Sequence, residues 1–507
     1  MVPRFVRVCW FLRAGFSQGL FCSRAEEVIK DITGFTWCDG FQQEDGIRLS
    51  EVGSLDFAGG AGKPAKPPPP QAYELFPGLS EYEWPRGGAA AERRSLLYHS
   101  SLFKAGEIPS EEALEKVKAR ALEEYPNAKP PSFFMNGDWR RELGEPDDEL
   151  ISLLDLPGIV EREVQPASSP GVPFVKLAKT NKELFSNAYY RGLIFSLVVI
   201  RLRKIAQYDY SEIEAMSPCD LVKLGLTDPI KVFIKQEPHK VAKVKAGKLR
   251  IISNVSIVDQ LIERILCSKQ NKVEIARWTV CPSKPGMGLH DEGLKEIYHT
   301  VVEAQRAQPL AETDVSGWDW SVPEWLLKFD MQCRADLYRC PADSLLRKLL
   351  LFRGHAISNK VFALSDGSLY AQGVPGVQAS GSYNTSSSNS RMRVSLAWLI
   401  GCAWAIAMGD DDVESEVPDA RNKYEALGFV VKDYKRLERL GCFEFCSTRF
   451  EGNWAGYSAQ WLRTVYRYLS HSPASFAQNP EYRTQLVGDL RHHPDNQEIL
   501  SRCDTLV

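Results

Sequence analysis

The stretch AIAMGDDDVES, residues 405–415, limits the possible folds more than any other part of the chain. An apolar run ends at a glycine, three consecutive aspartates follow, and an apolar position resumes at Val413. Carboxylates side by side repel, so a folded chain keeps them together only where something compensates. Gly409 admits positive φ and hence a tight turn. The pattern predicts a buried strand, a turn carrying carboxylates and a second strand. Such a cluster is either a solvated hairpin tip or a seat for a hard divalent cation. Mg²⁺ takes one or two carboxylates and keeps positions open for water and substrate phosphates. The cation reading requires a second source of carboxylates.

AETDVSGWDWSVPEW, residues 311–325, supplies one. An odd separation in a straight strand would point Asp314 and Asp319 to opposite faces. Ser316-Gly317 lets the chain bend, so both can reach one site. Ser321 and Glu324 fit a capping box with Pro323 in the first turn, which predicts a helix at once. Asp314 then ends a strand, and Asp319 lies in the turn to the helix. The third element is SGSYNTSSSNSRMRV, residues 380–394, read as a loop feeding a helix N-terminus. Free N–H groups and small side chains there suit anions or hydroxyls. Ser380-Gly381 allows a close approach by backbone or ligand. Thr385 and Asn389 share a face if that piece is helical.

Composition narrows the class. The 507 residues are 44% hydrophobic and 25% charged, as in ordinary globular proteins. A net charge of −3 excludes a polycation, so any nucleic-acid contact must use a local basic patch. Twelve scattered cysteines without a CxxC pair read as reduced thiols of a cytosolic compartment. The basic, apolar start is broken by Arg7 and Arg13 and leaves no clean signal-peptide core. The apolar run 394–408 is shorter than the roughly 20 residues a spanning helix needs. A buried helix running into a buried strand accounts for it.

Residues 1–75 read as an extension and linker, because FAGGAGKPAKPPPPQ, residues 57–71, cannot hold a helix or central strand. Beyond about residue 90 the pattern is globular. Residues 110–125 and 192–208 read as helices, and strand-like and helix-like pieces alternate from 230 to 450.

Asp-x4-Asp, Ser-Gly-x3-Thr-x3-Asn and Gly-Asp-Asp, in that order, resemble motifs A, B and C of viral RNA-dependent RNA polymerases. The wording DVSGWDWSVP is similar in particular to sobemoviruses and their barnavirus and polerovirus-like relatives. The resemblance spans about 165–450. SSPGVPF, 168–174, resembles the template-guiding motif G. FIKQEPHKVAKVKAGKLRII, 233–252, resembles motif F, with Lys235, Lys248 and Arg250 at the basic positions that hold the incoming triphosphate. LGFVVKDYKR, 427–436, resembles motif D, whose lysine is a proposed general acid; Lys435 fits that position better than Lys432. FCSTRF, 445–450, resembles the primer grip of motif E.

The resemblance implies an α+β right hand of closed fingers, palm and thumb. Fingers would cover 76–310, an antiparallel-sheet palm 311–450 with a return to the fingers at about 335–380, and the thumb 451–507. It implies two-metal nucleotidyl transfer of rNTPs on an RNA template, replicating a positive-strand RNA virus genome. Asp314, Asp410 and Asp411 would hold Mg²⁺, with Mn²⁺ as a substitute. Asp319, held by Asn389, would accept from the ribose 2′-OH; Ser380, Gly381 and Thr385 would complete the substrate site. Asp412 falls outside the motif and reads as a solvent-facing turn residue. Implied partners are template and nascent RNA, nucleoside triphosphates, a genome-linked protein primer and other viral replication proteins. The implied location is the host cytoplasm, in membrane-associated replication complexes reached through partners. A reverse transcriptase and a non-enzymatic RNA-binding protein are the alternatives. Within motif F, alternating apolar and basic residues with Ala246-Gly247 between them predict a hairpin. Lys245 then lies opposite Lys248, and Lys243 opposite Arg250.

Overall fold

The computed structural model describes residues 35–37, 49–56, 65–135, 139–479 and 481–507. Four antiparallel strands form the central sheet, in the order Ala405–Met408, Asp411–Ser415, Leu310–Val315, Val431–Arg436. One face is covered by the amphipathic helix Asp291–Ala307, through Leu294, Ile297 and Val301 against Leu310, Ile406 and Val413. On the other lie the helices Thr385–Ile400 and Ala420–Ala426. The inner strands are thus buried on both faces, while the edge strand Val431–Arg436 is exposed along most of its length.

The helix Thr385–Ile400 is buried along most of its length although it begins TSSSNSRMR. Its polar side chains find partners inside. Arg391 bonds Asp330 and Glu274, while Arg334 donates to Ser387 and Ser388. Satisfied partners allow charge to sit in a core. The expected loop is therefore shorter than read, and the helix already starts at Thr385. At its other end Gly401, φ 104°, turns the chain toward Ala405–Met408, so the expected buried helix and strand are both present. The helices expected near 110–125 and 192–208 occur as Glu111–Glu124 and Ala188–Gln207, N-capped by Ser110 and Asn187.

A second, six-stranded sheet has the order Phe35–Trp37, Leu49–Leu55, Ser368–Gln372, Val361–Ala363, Ile230–Ile234, Ile251–Asn254. Residues 361–372 thus leave the central unit and pair with the region expected to form fingers, where a return was anticipated. The strand Leu49–Leu55 corrects the separation of residues 1–75. It pairs with Ser368–Gln372, and Val52 and Leu55 are buried against Val361, Ala363 and Leu369. The proline-rich stretch is corrected too, for Pro70 begins the helix Pro70–Leu75. A first-turn proline lacks only an N–H that would have had no partner. Ala72, Phe76 and Leu79 then pack on Val465, Tyr466, Leu469 and Leu486 of the C-terminal helices. The rest of that reading, residues 1–34, 38–48 and 57–64, lies outside the described residues.

Two local readings fail. Ser321 and Glu324 form no capping box: Ser321 Oγ donates to Trp318 O, and the helix Glu324–Leu337 has Pro323 at its N-cap. The hairpin in motif F is instead a short helix, Val241–Lys245, closed by Gly247 at φ 69°. Gly247 N donates to Val244 O and Lys248 N to Lys243 O, the bond pattern of a glycine helix stop. Ala242 and Val244 alternate with Lys243 and Lys245 as in a strand, while Val241 and Val244, three apart, fit one turn of helix, and the glycine decides.

Candidate active site

The strand register builds the site. Met408 lies opposite Asp411, so Gly409 and Asp410 are a two-residue turn, with Gly409 at φ 68°. Open space surrounds the position of a Cβ there, so conformation rather than crowding requires the glycine. Asp412 lies opposite Thr313, which sets Asp411 across from Asp314. Neighbours on a strand face opposite ways, so Asp411 shares the face of Asp314 and Asp412 turns away. The three predicted carboxylates Asp314, Asp410 and Asp411 therefore meet at one end of the sheet. Asp411 is partly open to solvent, yet its carboxyl is pushed up to about 7 by the shielding around it, then by negative Asp410, Asp314 and Glu444.

Asp412 is not a solvent-facing turn residue. It is 3% exposed, and Arg393 Nη2 donates to its Oδ1 at 2.9 Å. The same guanidinium stands 3.5 Å from Glu414 and donates to Tyr424 Oη. Thr313 Oγ1 donates to Glu414 on its other side. Burial pushes the Asp412 carboxyl well up, against the pull of Arg393. Two buried carboxyls share one cation beneath the strand that carries Asp411.

The helix Thr385–Ile400 aligns the pieces. Asn389 Nδ2 donates to Asp319 Oδ1 at 2.8 Å, Gly409 N donates to Ser390 Oγ at 2.9 Å, and Arg393 holds Asp412. Asp319 sits in the short helix Trp318–Ser321. Burial lifts its carboxyl to about 6; Asn389 opposes, Asp410 adds to the rise, and Arg250 and Lys360 oppose. Thr385 Oγ1 donates to Ala379 O and Ser382 O, closing the loop at the helix start. Ser380 Oγ accepts from Ser253 N. A Cβ on Gly381 would stand 1.9 Å from Ser253 O, so the close approach expected there is by backbone.

The expected triphosphate side is basic but partly engaged. Lys235 Nζ lies 2.9 Å and Arg250 Nη1 3.5 Å from Glu237, which also faces Arg463 of the C-terminal helices at 4.0 Å. The Arg250 side chain, though it touches Glu237, is 61% exposed and so accessible to a ligand. Lys248 lies over the Tyr98 ring. Of the two motif D lysines, Lys432 donates to Asp314 Oδ2 at 2.7 Å, whereas Lys435 is 3.6 Å from Glu312, farther down the strand.

Among the described residues no group of three His, Cys, Asp or Glu side chains is already gathered as a metal cage. The donor set nevertheless fits a hard divalent cation. Asp314, Asp410 and Asp411 offer only carboxylate oxygens, and burial first, then the neighbouring negative charges, raise Asp411, a rise that a bound cation would oppose. Lys432 supplies positive charge to Asp314 here. Sequence reasoning missed Ser390, Arg393, Glu237 and Lys360. For Arg393 a signal existed: it stands four residues after Asn389, on the same face of one helix.

The family model for viral RNA-directed RNA polymerase matches residues 71–478. The chain is 39% identical over 441 residues to the replicase polyprotein P2AB of Southern cowpea mosaic virus, covering 85% of this chain and 44% of that protein. It therefore spans less than half the length of that relative. It is also 39% identical over 395 residues to the RNA-directed RNA polymerase of mushroom bacilliform virus, covering 73% of this chain and 93% of that protein. Protein P1-P2 of turnip yellows virus is 36% identical over 451 residues, covering 83% of this chain and 41% of that protein. In fold the chain resembles the sicinivirus 3Dpol RNA-dependent RNA polymerase, with TM-score 0.57 and 16% identity over 89% of this chain and 94% of that one.

Proposed function

The chain belongs to the viral RNA-directed RNA polymerase family, and from that premise we propose that it copies the genome of a positive-strand RNA virus by joining rNTPs on an RNA template. The observation that carries this reading is the convergence of Asp314, Asp410 and Asp411 beside an Asn389–Asp319 pair. The three carboxylates would hold Mg²⁺, with Mn²⁺ as a substitute. When bound, the metal would lower the charge barrier between the 3′-hydroxyl and the triphosphate.

The chain's own groups do the rest. Lys235, Lys248 and Arg250 neutralise and orient the triphosphate, Arg250 by its planar fork. Asp319 accepts from the ribose 2′-OH while Asn389 fixes its other contact, so a ribose is preferred to a deoxyribose. Ser380, Gly381 and Thr385 shape the loop beneath the nucleotide. For the proton of the leaving pyrophosphate, Lys432 is in reach of Asp314 and is preferred here to Lys435. Partners under this reading are template and nascent RNA, a genome-linked protein primer and other replication proteins. The working place would be the host cytoplasm, in membrane-associated complexes; among the described residues no helix is long and apolar enough to cross a membrane. Reverse transcription and passive RNA binding are not favoured by the family match.

The test is Asp410→Asn in an RNA-templated extension assay with RNA binding measured in parallel. The reading expects incorporation to vanish and binding to persist, because RNA binding rests on basic side chains and not on this carboxylate. Near-normal elongation by the variant would sink the metal assignment.

A further inference from the structure

Lys360 lies between the helix Leu345–Ser358 and the strand Val361–Ala363, 2% exposed. Its Nζ donates to Ile357 O, to Gly376 O at 2.8 Å and to Val377 O at 2.6 Å. Three carbonyl acceptors call for three N–H donors, and only the ammonium has three. Burial pulls the pKa well below the ordinary lysine value, with Arg353 adding to the fall. None of those three hydrogen-bond partners is an anion; the carboxylate whose charge bears on Lys360 is Asp319. A buried cation is expensive unless something compensates, so its position calls for a reason.

The backbone it holds leads to the ribose site. Val377 N donates to Val322 O at 2.7 Å, and Gln378 N donates to Asp319 O at 2.8 Å. Pro323 and Gly376 form an isolated bridge, and a Cβ on Gly376 would stand 2.6 Å from Val322 O. Gln372 adds a second brace: Lys360 N donates to its Oε1, and its Nε2 donates to Gly376 O. Segment 376–378 is therefore pinned by Lys360 on one side and carries the Asp319 main chain on the other. From Ala379 the chain runs on into Ser380-Gly381.

We propose that Lys360 is a positioning residue for sugar selection, stapling segment 376–378 against Asp319 and placing a positive charge behind its carboxylate. The proposal rests on the reading that Asp319 and Asn389 recognise the ribose 2′-OH. It assigns to a lysine outside the polymerase motifs the task of keeping an acceptor in place for that hydroxyl. Arg250 and Lys360 are the cations and Asp410 the anion that bear on Asp319, with Asn389 its hydrogen-bond donor.

The experiment compares kcat/KM for an rNTP and its 2′-deoxy analogue on an RNA template. It uses the full chain carrying Lys360→Met, Lys360→Gln or Asn389→Ala. Glutamine keeps two donors for the carbonyls but no charge, so it decides where methionine fails to fold. Loss of one well-placed hydrogen bond is worth about two- to tenfold, and each lysine variant should lower the rNTP preference by about that factor. A purely structural lysine would lower both rates together. An unchanged ratio in a folded Lys360 variant, with the ratio lowered in Asn389→Ala, overturns the role of Lys360 alone. A ratio unchanged in all three variants overturns the sugar-recognition reading itself.

Discussion

Replacing Arg393 with methionine removes the guanidinium shared by Asp412 and Glu414 while keeping much of its volume. Arg393, Glu414 and Tyr424 are each 0% exposed, so water cannot take over. Breaking a buried pair from one side costs about 3–5 kcal/mol. That is a large share of the about 5–15 kcal/mol typical of a native protein. Asp412 and the metal-site residue Asp411 are neighbours on one strand, so relaxation below moves the carboxylate above. A displacement of about 1 Å at a reacting centre costs about 10²-fold in rate. Asp412→Asn is the contrasting case. It keeps an oxygen for Arg393 Nη2, and because burial already favours the uncharged acid, the neutral amide should cost less than about 1 kcal/mol. Urea denaturation and steady-state RNA synthesis measure the two consequences. Arg393→Met should unfold earlier and lose kcat, whereas Asp412→Asn stays near the parent in both. A stable, active Arg393→Met, or an Asp412→Asn as dead as Asp410→Asn, would refute the buried-pair argument.

Asn389→Ala should reduce the rNTP-over-dNTP ratio of kcat/KM about 5- to 150-fold, the range of about 1–3 kcal/mol for an unsatisfied buried group. The same ratio should fall as pH drops through about 6, where Asp319 takes up a proton and becomes a weaker, uncharged acceptor for the 2′-OH; a flat profile counts against its role. Arg250→Lys should raise the nucleotide KM or lower kcat and leave template affinity nearly intact, since lysine cannot reproduce the fork. Gly381→Ala should lose about 1–3 kcal/mol or more of stability together with activity, its new methyl meeting Ser253 O; a thermal melt identical to the parent would contradict that contact.

How far the sequence reached depends on whether the decisive contact is local. The Gly409 turn, the flanking strands and the Asp314 strand were legible because a glycine, a carboxylate run and apolar periods sit within a few residues of each other. Asp412 was misread because its partner, Arg393, is on another element, and a carboxylate at a turn gives no local sign of burial. The motif F helix shows the limit of a short alternating pattern: VAKVK suits a strand and one helical turn alike, and Gly247 settles it. Leu49–Leu55 and Pro70–Leu75 were set aside for their proline-rich surroundings, but their partners lie far along the chain, on Ser368–Gln372 and the C-terminal helices. Lys360 was invisible for the same reason, since its partners there are backbone carbonyls.

The most direct test of the whole account is incorporation by the purified chain on a defined RNA template with Mg²⁺, rNTPs and dNTPs supplied in parallel. The account predicts template-directed extension with rNTPs, weak extension with dNTPs, and none with either when Asp314 or Asp410 is replaced by Asn. Equal use of dNTPs, or extension that survives those replacements, would contradict it.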